Sequence, residues 1–548
     1  MKSRILVNHV GLLPQAAKHF VICDPPEQTF TIIRVWNGEV VYRGELRHVN
    51  AELGDAWVGD FSSLQSDGSF LLHCGNLVSR PVLVHKEVYD TALRVLLNYF
   101  QTQRCGDSLT GWNAPCHLDD ARRADTGEHL DVVGGWHQSG DLRKWMFGTP
   151  LGLSGLSQLG LLRNPRWDQG QIADELRWGN SYFHKMIRPD GGLMDHVVVP
   201  TGWSGREVYP NDPPPYATYL TIIGQALAAR YLADRDPAHS RKCLDAARRI
   251  WAYITGPSAP SGPYKPPILP LYHDWLQGFF NTHCAPNCGD ALYAAIKLFE
   301  ATEEASFLEQ ACSLANDLVE LQVGGDIETD LAAACFYVSP DRKALAASTM
   351  FGPLGLAELL MLQPNHPDAP RWKRAVELIA EQKCRLAERN PWGLIPSYWR
   401  ANTPGAGRPA GTGCYRYFLC YRSPNGGEIK VGPNGDISTA ALFLLRAHRL
   451  TGEARYLAAA QRQLDWILGC NPFDASTVEG VGLNQPLRYI NDDEFFPPTP
   501  QIPGAVTTGI MGDDNDNPEP FGNNCSAEYD MPVVASLMWL LSEMTSGK

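Results

Sequence analysis

The chain of 548 residues is 44% hydrophobic and 20% charged, a globular balance that excludes a disordered chain. Its 50 Gly and 41 Pro follow no period, which excludes collagen-like and low-complexity classes. Forty-seven Lys+Arg against 60 Asp+Glu leave a net charge of −13 with no basic run, so nucleic acid is not an expected partner. No stretch approaches the ~20 apolar residues of a spanning helix, and the first residues lack a signal-peptide core. The expectation is therefore a cytoplasmic chain without a membrane partner. There its 14 cysteines would stay reduced, mostly as small buried apolar side chains.

Residues 1 to 84 alternate short β-rich runs with turn residues. The runs are Ile5-Leu-Val, His19-Phe-Val-Ile-Cys, Phe30-Thr-Ile-Ile-Arg-Val, Val40-Val-Tyr, Phe70-Leu-Leu-His and Pro81-Val-Leu-Val. Asn37-Gly38 and Asp67-Gly68 are hairpin-type turn signals, and the segment reads as a small β-sandwich. From residue 85 to 548 the period is helical. In 216–233, Tyr219, Ile222, Ile223, Ala226, Leu227 and Tyr231 form one apolar stripe. Such segments lie near 86–103, 147–163, 169–189, 215–233, 237–256, 288–302, 304–322, 346–363, 368–388, 436–451, 453–469 and 531–546. Twelve helices are the content of an (α/α)6 toroid, and a helical solenoid would fit the count as well, although no fixed repeat is visible.

Several connections are long and rich in Gly, Pro, Trp and Asp: 104–146, 190–214, 257–287, 389–435 and 470–530. Long loops of this composition suit a loop-built binding face. Trp112, Trp136, Trp203, Trp392 and Trp399 could stack on sugar rings or wedge the loops against the helices. The first loop brings together Cys105, Cys116, His117 and His137, a two-plus-two donor set that suits closed, structural zinc. From spacing alone, without a Cys-x-x-Cys pair, buried thiols and hydrogen-bonded histidines are the favoured reading. His283-Cys284 with Cys288 is a weaker metal candidate lacking an obvious fourth ligand. Asp141 follows in a glycine-bearing turn, where a short carboxylate could enter a cleft or form an Asx turn.

These residues also carry a resemblance. Cys116-His-Leu-Asp-Asp-Ala and Asp131-Val-Val-Gly-Gly-Trp-His-Gln-Ser-Gly-Asp141 resemble glycoside hydrolase family 9, the inverting cellulases, whose pattern reads approximately CHLDDA…DVxGGWxDAGD. Ile5-Leu-Val-Asn-His-Val-Gly-Leu-Leu-Pro resembles the start of the immunoglobulin-like domain that precedes many of them. Arg188-Pro-Asp-Gly-Gly, Leu464-Asp-Trp-Ile-Leu-Gly-Cys-Asn-Pro472 and Tyr529-Asp-Met-Pro-Val-Val extend the likeness over nearly the whole chain. It implies an immunoglobulin-like domain at 1–84, a mainly α (α/α)6 barrel at 85–548, Asp141 as general base, and structural zinc on Cys105, Cys116, His117 and His137.

The chain departs from the family pattern at two positions. Gln138 replaces the first Asp of DAGD; it can hold water through its carbonyl but supplies no charge. Asn524 aligns with the family's catalytic Glu, and an amide cannot donate a proton to a leaving oxygen. Glu528 is the first candidate for a displaced acid, ahead of Asp530, Asp516 and Glu519, with a cap or surface charge as its alternative role. Helical geometry at 524–528 is doubtful because Pro532 belongs in a first turn. The acidic run from Asp513 to Glu519 could bind calcium or be a solvated loop. The expected activity is hydrolysis of a β-linked oligo- or polysaccharide, short oligosaccharides rather than insoluble cellulose. A catalytically impaired sugar-binding protein and a lyase on the same barrel are the alternatives.

Overall fold

The computed structural model describes residues 4–106, 115–119, 121–140, 142–197, 207–263, 279–280, 283–341, 345, 351–401, 407–422, 428–485, 502–519 and 528–546. Strands β1 (Ile5–Leu6), β2 (His19–Ile22), β3 (Thr29–Arg34), β4 (Val40–Ala51), β5 (Gly54–Asp60), β6 (Gly68–Cys74), β7 (Leu77–Val78) and β8 (Val82–Val84) pair antiparallel throughout. The order is β1-β2-β5-β4-β3-β6-β7, with β8 on β6. β4 serves both layers of a sandwich: Val40 to Glu45 pair with β3, and Leu46 to Ala51 pair with β5. Phe20, Phe30, Ile32, Phe70, Leu72 and Val84 fill the space between, with the Phe20 and Phe30 rings edge to face at 4.8 Å. The sequence reading omitted β5. A Cβ at Gly59 would sit 2.2 Å from the Phe20 ring, so the strand carries a glycine where its pattern needs an apolar residue.

Twelve helices follow among the described residues. They are α1 (Asp90–Thr102), α2 (Leu151–Leu161), α3 (Gln169–Phe183), α4 (Pro215–Leu232), α5 (Pro237–Ile254), α6 (Ala285–Thr302), α7 (Ala305–Glu320), α8 (Gly352–Leu362), α9 (Ala369–Ala387), α10 (Asn434–Thr451), α11 (Ala454–Ile467) and α12 (Met531–Thr545). α2, α4, α6, α8, α10 and α12 pack each against the next, and α12 returns to α2, which closes a ring. α3, α5, α7, α9 and α11 each lie outside the inner helix that precedes them, and α1 lies against α12. This is the (α/α)6 toroid, and the ring closure rules out the solenoid.

Inner helices touch neighbours on every side, so they are apolar nearly all round; in α4 only Tyr216 and Arg230 escape full burial. Outer helices such as α5 keep a single buried stripe, among them Cys243, Ala247, Ile250 and Ile254. Glycines let the inner axes approach: a Cβ at Gly155 of α2 would lie 2.8 Å from the Ala535 carbonyl of α12, and one at Gly355 of α8 2.9 Å from Leu292 of α6.

Towards the C-terminal ends of the inner helices runs a belt of charge. Arg230 pairs with Glu300, Lys297 with Glu300 and Glu358, Arg446 with Glu358 and Glu543, and Arg449 with Glu543. Burial alone would raise the Glu543 carboxyl, but Arg446 and Arg449 hold it down to about 2. A carboxyl depressed in the fold adds stability that is complete above its ordinary value of 4.5 and is lost as pH falls through about 2. Arg446→Leu leaves buried Glu358 with Lys297 alone and Glu543 with Arg449 alone, and is expected to cost about 3 kcal/mol at neutral pH. That deficit should shrink below pH 4.5, as urea unfolding of parent and variant across pH will measure.

Candidate functional site

The two ends of the toroid differ in the length of their connections. Segments leaving the inner helices are short: 162–168, 233–236, 303–304, 363–368 and 452–453. Segments entering them are long: 103–150, 184–214, 255–284, 321–351, 388–433 and 468–530. Every long segment therefore enters at the N-terminal end of an inner helix, and that end of the ring holds the candidate site.

The loop before α2 is anchored from behind by α3. Glu175, fully buried, accepts from Arg104 Nη2 at 2.8 Å and from Trp136 Nε1 at 3.2 Å. Trp178 Nε1 donates to the Gly135 carbonyl at 2.8 Å. Gly135 has φ +74°, and a Cβ there would sit 2.5 Å from the Tyr182 side chain, so only glycine lets the loop lie this close to α3. Backbone bonds from Cys105 N to Gly135 O and from His137 N to Gln103 O, both 2.9 Å, bring the two ends of the loop side by side.

The consequence is that Cys105, Cys116, His117 and His137 converge, with one donor atom from each lying within 4.8 Å of all the others. Cys105 Sγ is 3.2 Å from His117 Nδ1, Cys116 Sγ is 3.0 Å from His137 Nε2, and the two sulfurs are 3.8 Å apart. Burial pushes the Cys105 thiol well up. The hydrogen bond with Cys105, together with those to the neighbouring histidines, pulls the Cys116 thiol down. Burial also lowers His117 to about 4, which keeps its imidazole neutral and able to ligate. Tetrahedral zinc with Zn–S of 2.3 Å requires a sulfur–sulfur edge of about 3.8 Å, so this donor set fits such an ion. Lys144 lies beside the cluster, wholly buried, donating to the Val132 and Gly134 carbonyls at 2.5 and 3.2 Å, and burial lowers its ammonium while the thiols hold it up. Neither Lys144 nor Glu175 carried a signal in the sequence, since their partners are brought to them only by the fold.

The segment that follows is tied to the start of α12. Met531 N donates to the Gln138 carbonyl at 2.8 Å, and Ser139 bridges Asp530. Leu142 N reaches back to the Ser139 carbonyl at 3.1 Å; Asp141 and Asn524 lie outside the described residues, as do Trp112 and Trp203. Gln138 is buried, and its side-chain carbonyl accepts from Thr149 Oγ1 at 3.2 Å. Glu528 is half-buried, and its backbone carbonyl accepts from Thr508 N at 3.1 Å. α12 begins only at Met531, so Glu528 stands in extended chain before the helix.

Other expected positions are corrected by burial. Trp136 has no exposed surface and packs edge to face on Phe100 at 5.2 Å, so it is a wedge rather than a sugar platform or a water-positioning group. Trp392 is a wedge too, its Nε1 donating to Leu53 of the sandwich at 3.4 Å. Trp399 lines a cavity of about 110 Å³ between α8, α9 and α10, together with Gln382, Lys383 and Asp436. Burial raises that Asp436 carboxyl to about 6 and lowers the Lys383 amine. In the run from Asp513 to Glu519, Asp516 accepts from Tyr417 N, Phe418 N and Arg408 Nε at 3.0 to 3.1 Å. Facing arginine and backbone donors, it clamps a loop rather than offering a cation its oxygens.

By class the chain is a glycoside hydrolase. The family model of glycosyl hydrolase family 9 matches residues 89–515, and that of the cellulase N-terminal ig-like domain matches residues 1–79. It belongs to glycosyl hydrolase family 9. Endoglucanase C of Cellulomonas fimi is 24% identical over 87% of this chain, which spans 44% of that protein's length. A cellodextrinase of Butyrivibrio fibrisolvens is 22% identical over 93% of this chain and 91% of its own. The crystal structure of a metagenome-derived glycoside hydrolase family 9 endoglucanase shares the fold with a TM-score of 0.69 at 22% identity, covering 100% of this chain and 99% of that one.

Lys144→Met tests the support beneath the cluster. Two buried carbonyls lose their donor, at about 1–3 kcal/mol each, and the effect should appear both in thermal unfolding and as weaker metal retention under chelator challenge.

Proposed function

We propose that this chain hydrolyses β-linked gluco-oligosaccharides with inversion, Asp141 acting as general base and Glu528 as general acid. The observation that carries the reading is the backbone tie between Gln138–Ser139 and Asp530–Met531. It joins Ser139, two residues before Asp141, to Asp530, two residues after Glu528, at the end of the ring where the long segments enter. In such a pair the base takes a proton from water as its oxygen attacks the anomeric carbon, and the acid protonates the departing glycosidic oxygen. The two carboxyls stand about 6.5–9.5 Å apart to admit that water. Gln138 would hold the water through the lone pair left by Thr149, with less polarisation than a carboxylate provides. Asn524 cannot serve as the acid, which is why the role passes to Glu528. Short substrates are favoured because the cellodextrinase relative matches along nearly its whole length.

The same proposal gives Cys105, Cys116, His117 and His137 a structural zinc ion. Four protein ligands close the tetrahedron and leave no position for substrate. The ion would neutralise the thiolates and brace the segment that runs from His137 into Gln138 and Asp141. Calcium on the acidic run finds no such support, given how Asp516 is engaged.

The loss of charge at Gln138 and of the acid at Asn524 favours a second reading, a sugar-binding protein that keeps the cleft without turnover. Incubation with cello-oligosaccharides, with the anomer of the product followed by NMR, separates the two. Hydrolysis giving the α-anomer first, abolished in Asp141→Asn and lowered about 10²–10⁴-fold in Glu528→Gln, is the expected outcome. Calorimetric binding with no product would decide for the second reading. Zinc content measured after chelator-free purification should fall by one equivalent in Cys105→Ser/Cys116→Ser.

A further inference from the structure

Among the described residues a second convergence of metal-type donors lies on the same face, away from the first. His283 stands in the loop entering α6, Cys288 in the first turn of α6, and Asp317 on α7. One donor atom from each lies within 4.8 Å of the other two. The pair expected from the sequence was His283 with Cys284 and Cys288, but Cys284 is the N-cap residue of α6 and is not part of the convergence. The missing partner comes from α7, the helix that packs back against α6, and no spacing rule reaches it.

We propose that His283, Cys288 and Asp317 form a second zinc site, with three protein ligands and a fourth position left to solvent. One imidazole, one thiolate and one carboxylate are a borderline donor set, suited to zinc rather than to calcium or magnesium, which prefer oxygen alone. Tetrahedral zinc needs donor separations of roughly 3.3–3.8 Å, and the three donor atoms already lie within 4.8 Å of one another. Their burial is graded, with Cys288 buried, Asp317 half-buried and His283 exposed. Such a site has a path by which a hydrated ion can enter and keep one water. The ion would pin the end of the 255–284 loop to the α6–α7 hairpin, as the four-ligand cluster pins the loop before α2.

The test is zinc titration of the full-length, chelator-stripped protein against a chromophoric competitor. It is run on the parent, on His283→Ala, on Asp317→Asn, and on Cys105→Ser/Cys116→Ser. The parent should take up two equivalents, and each of the three variants one. His283 is exposed, so His283→Ala should leave thermal unfolding of the metal-free protein unchanged. Cobalt substitution adds a spectroscopic readout: Cys288→Ser should remove one thiolate-to-cobalt charge-transfer component and leave that of the two-thiolate cluster. A parent that saturates at one equivalent, unchanged in His283→Ala and Asp317→Asn, overturns the second site and leaves the four-ligand reading intact. A single equivalent lost in His283→Ala but kept in Cys105→Ser/Cys116→Ser supports the second site and removes the first.

Discussion

Six helices side by side become a ring only if the last finds the first, and the centre of a ring is hard to fill with hydrocarbon alone. In this protein the solution at one end is ionic. Arg230, Glu300, Lys297, Glu358, Arg446, Glu543 and Arg449 pass charge from α4 through α6, α8 and α10 to α12. The remaining seams, α12 to α2 and α2 to α4, close by contact, where Gly155 and Gly224 let backbones meet. A buried ion pair is weak evidence for net stability, but breaking one is costly, so such a belt specifies which helix sits beside which. Ring order in turn decides which loops become neighbours, and the candidate site exists only as a property of that order.

The sandwich takes part in the same arrangement. Glu52, between β4 and β5, accepts from Tyr415 and Tyr417 hydroxyls at 2.8 and 2.7 Å and pairs with Arg389 at 2.8 Å. The backbone next to Tyr417 is held in turn by Asp516. On another side, Asp474 gathers His9 and Arg80, and Asn8 reaches buried Asp465 at 2.9 Å. The N-terminal domain is thus wired into the loops that enter the inner helices. Its position is fixed by groups from the helical domain that also shape the open face.

Much of this was legible in the residues. The twelve expected helical segments each correspond to an observed helix, because apolar periodicity over three or more turns survives any packing context. The first strands were legible for the same reason, whereas β5 was hidden by Gly59 and its flanking aspartates. The far half of β4 was hidden by its exposure, its residues from Arg47 to Ala51 being solvated except Val49. The zinc-type quartet was visible as residue types, yet its spacing alone argued against it, and only resemblance raised it. Its geometry depends on Gly135 lying against α3, which no local pattern encodes. Trp136 shows the converse: a tryptophan in a loop suggests a platform, but the Glu175 carboxylate waiting below draws it into the core. Asp317 was invisible because its partners lie across a helical hairpin.

One further property follows from the two kinds of connection. Since every long loop enters an inner helix and every short one leaves it, the six inner helices run parallel, and their N-termini all face the loop side. Each helix carries about half a positive charge at that end, so the open face of an acidic chain is ringed by six convergent positive poles. These poles favour an ionised carboxylate, yet burial can outweigh them, as it does at Asp436 in the first turn of α10. At the opposite end Arg230 and Arg449 lie in the last turns of α4 and α10, with Arg446 one turn earlier, facing the negative poles there. The charge belt and the chemistry of the open face are therefore two ends of a single polarity, set when the ring closes.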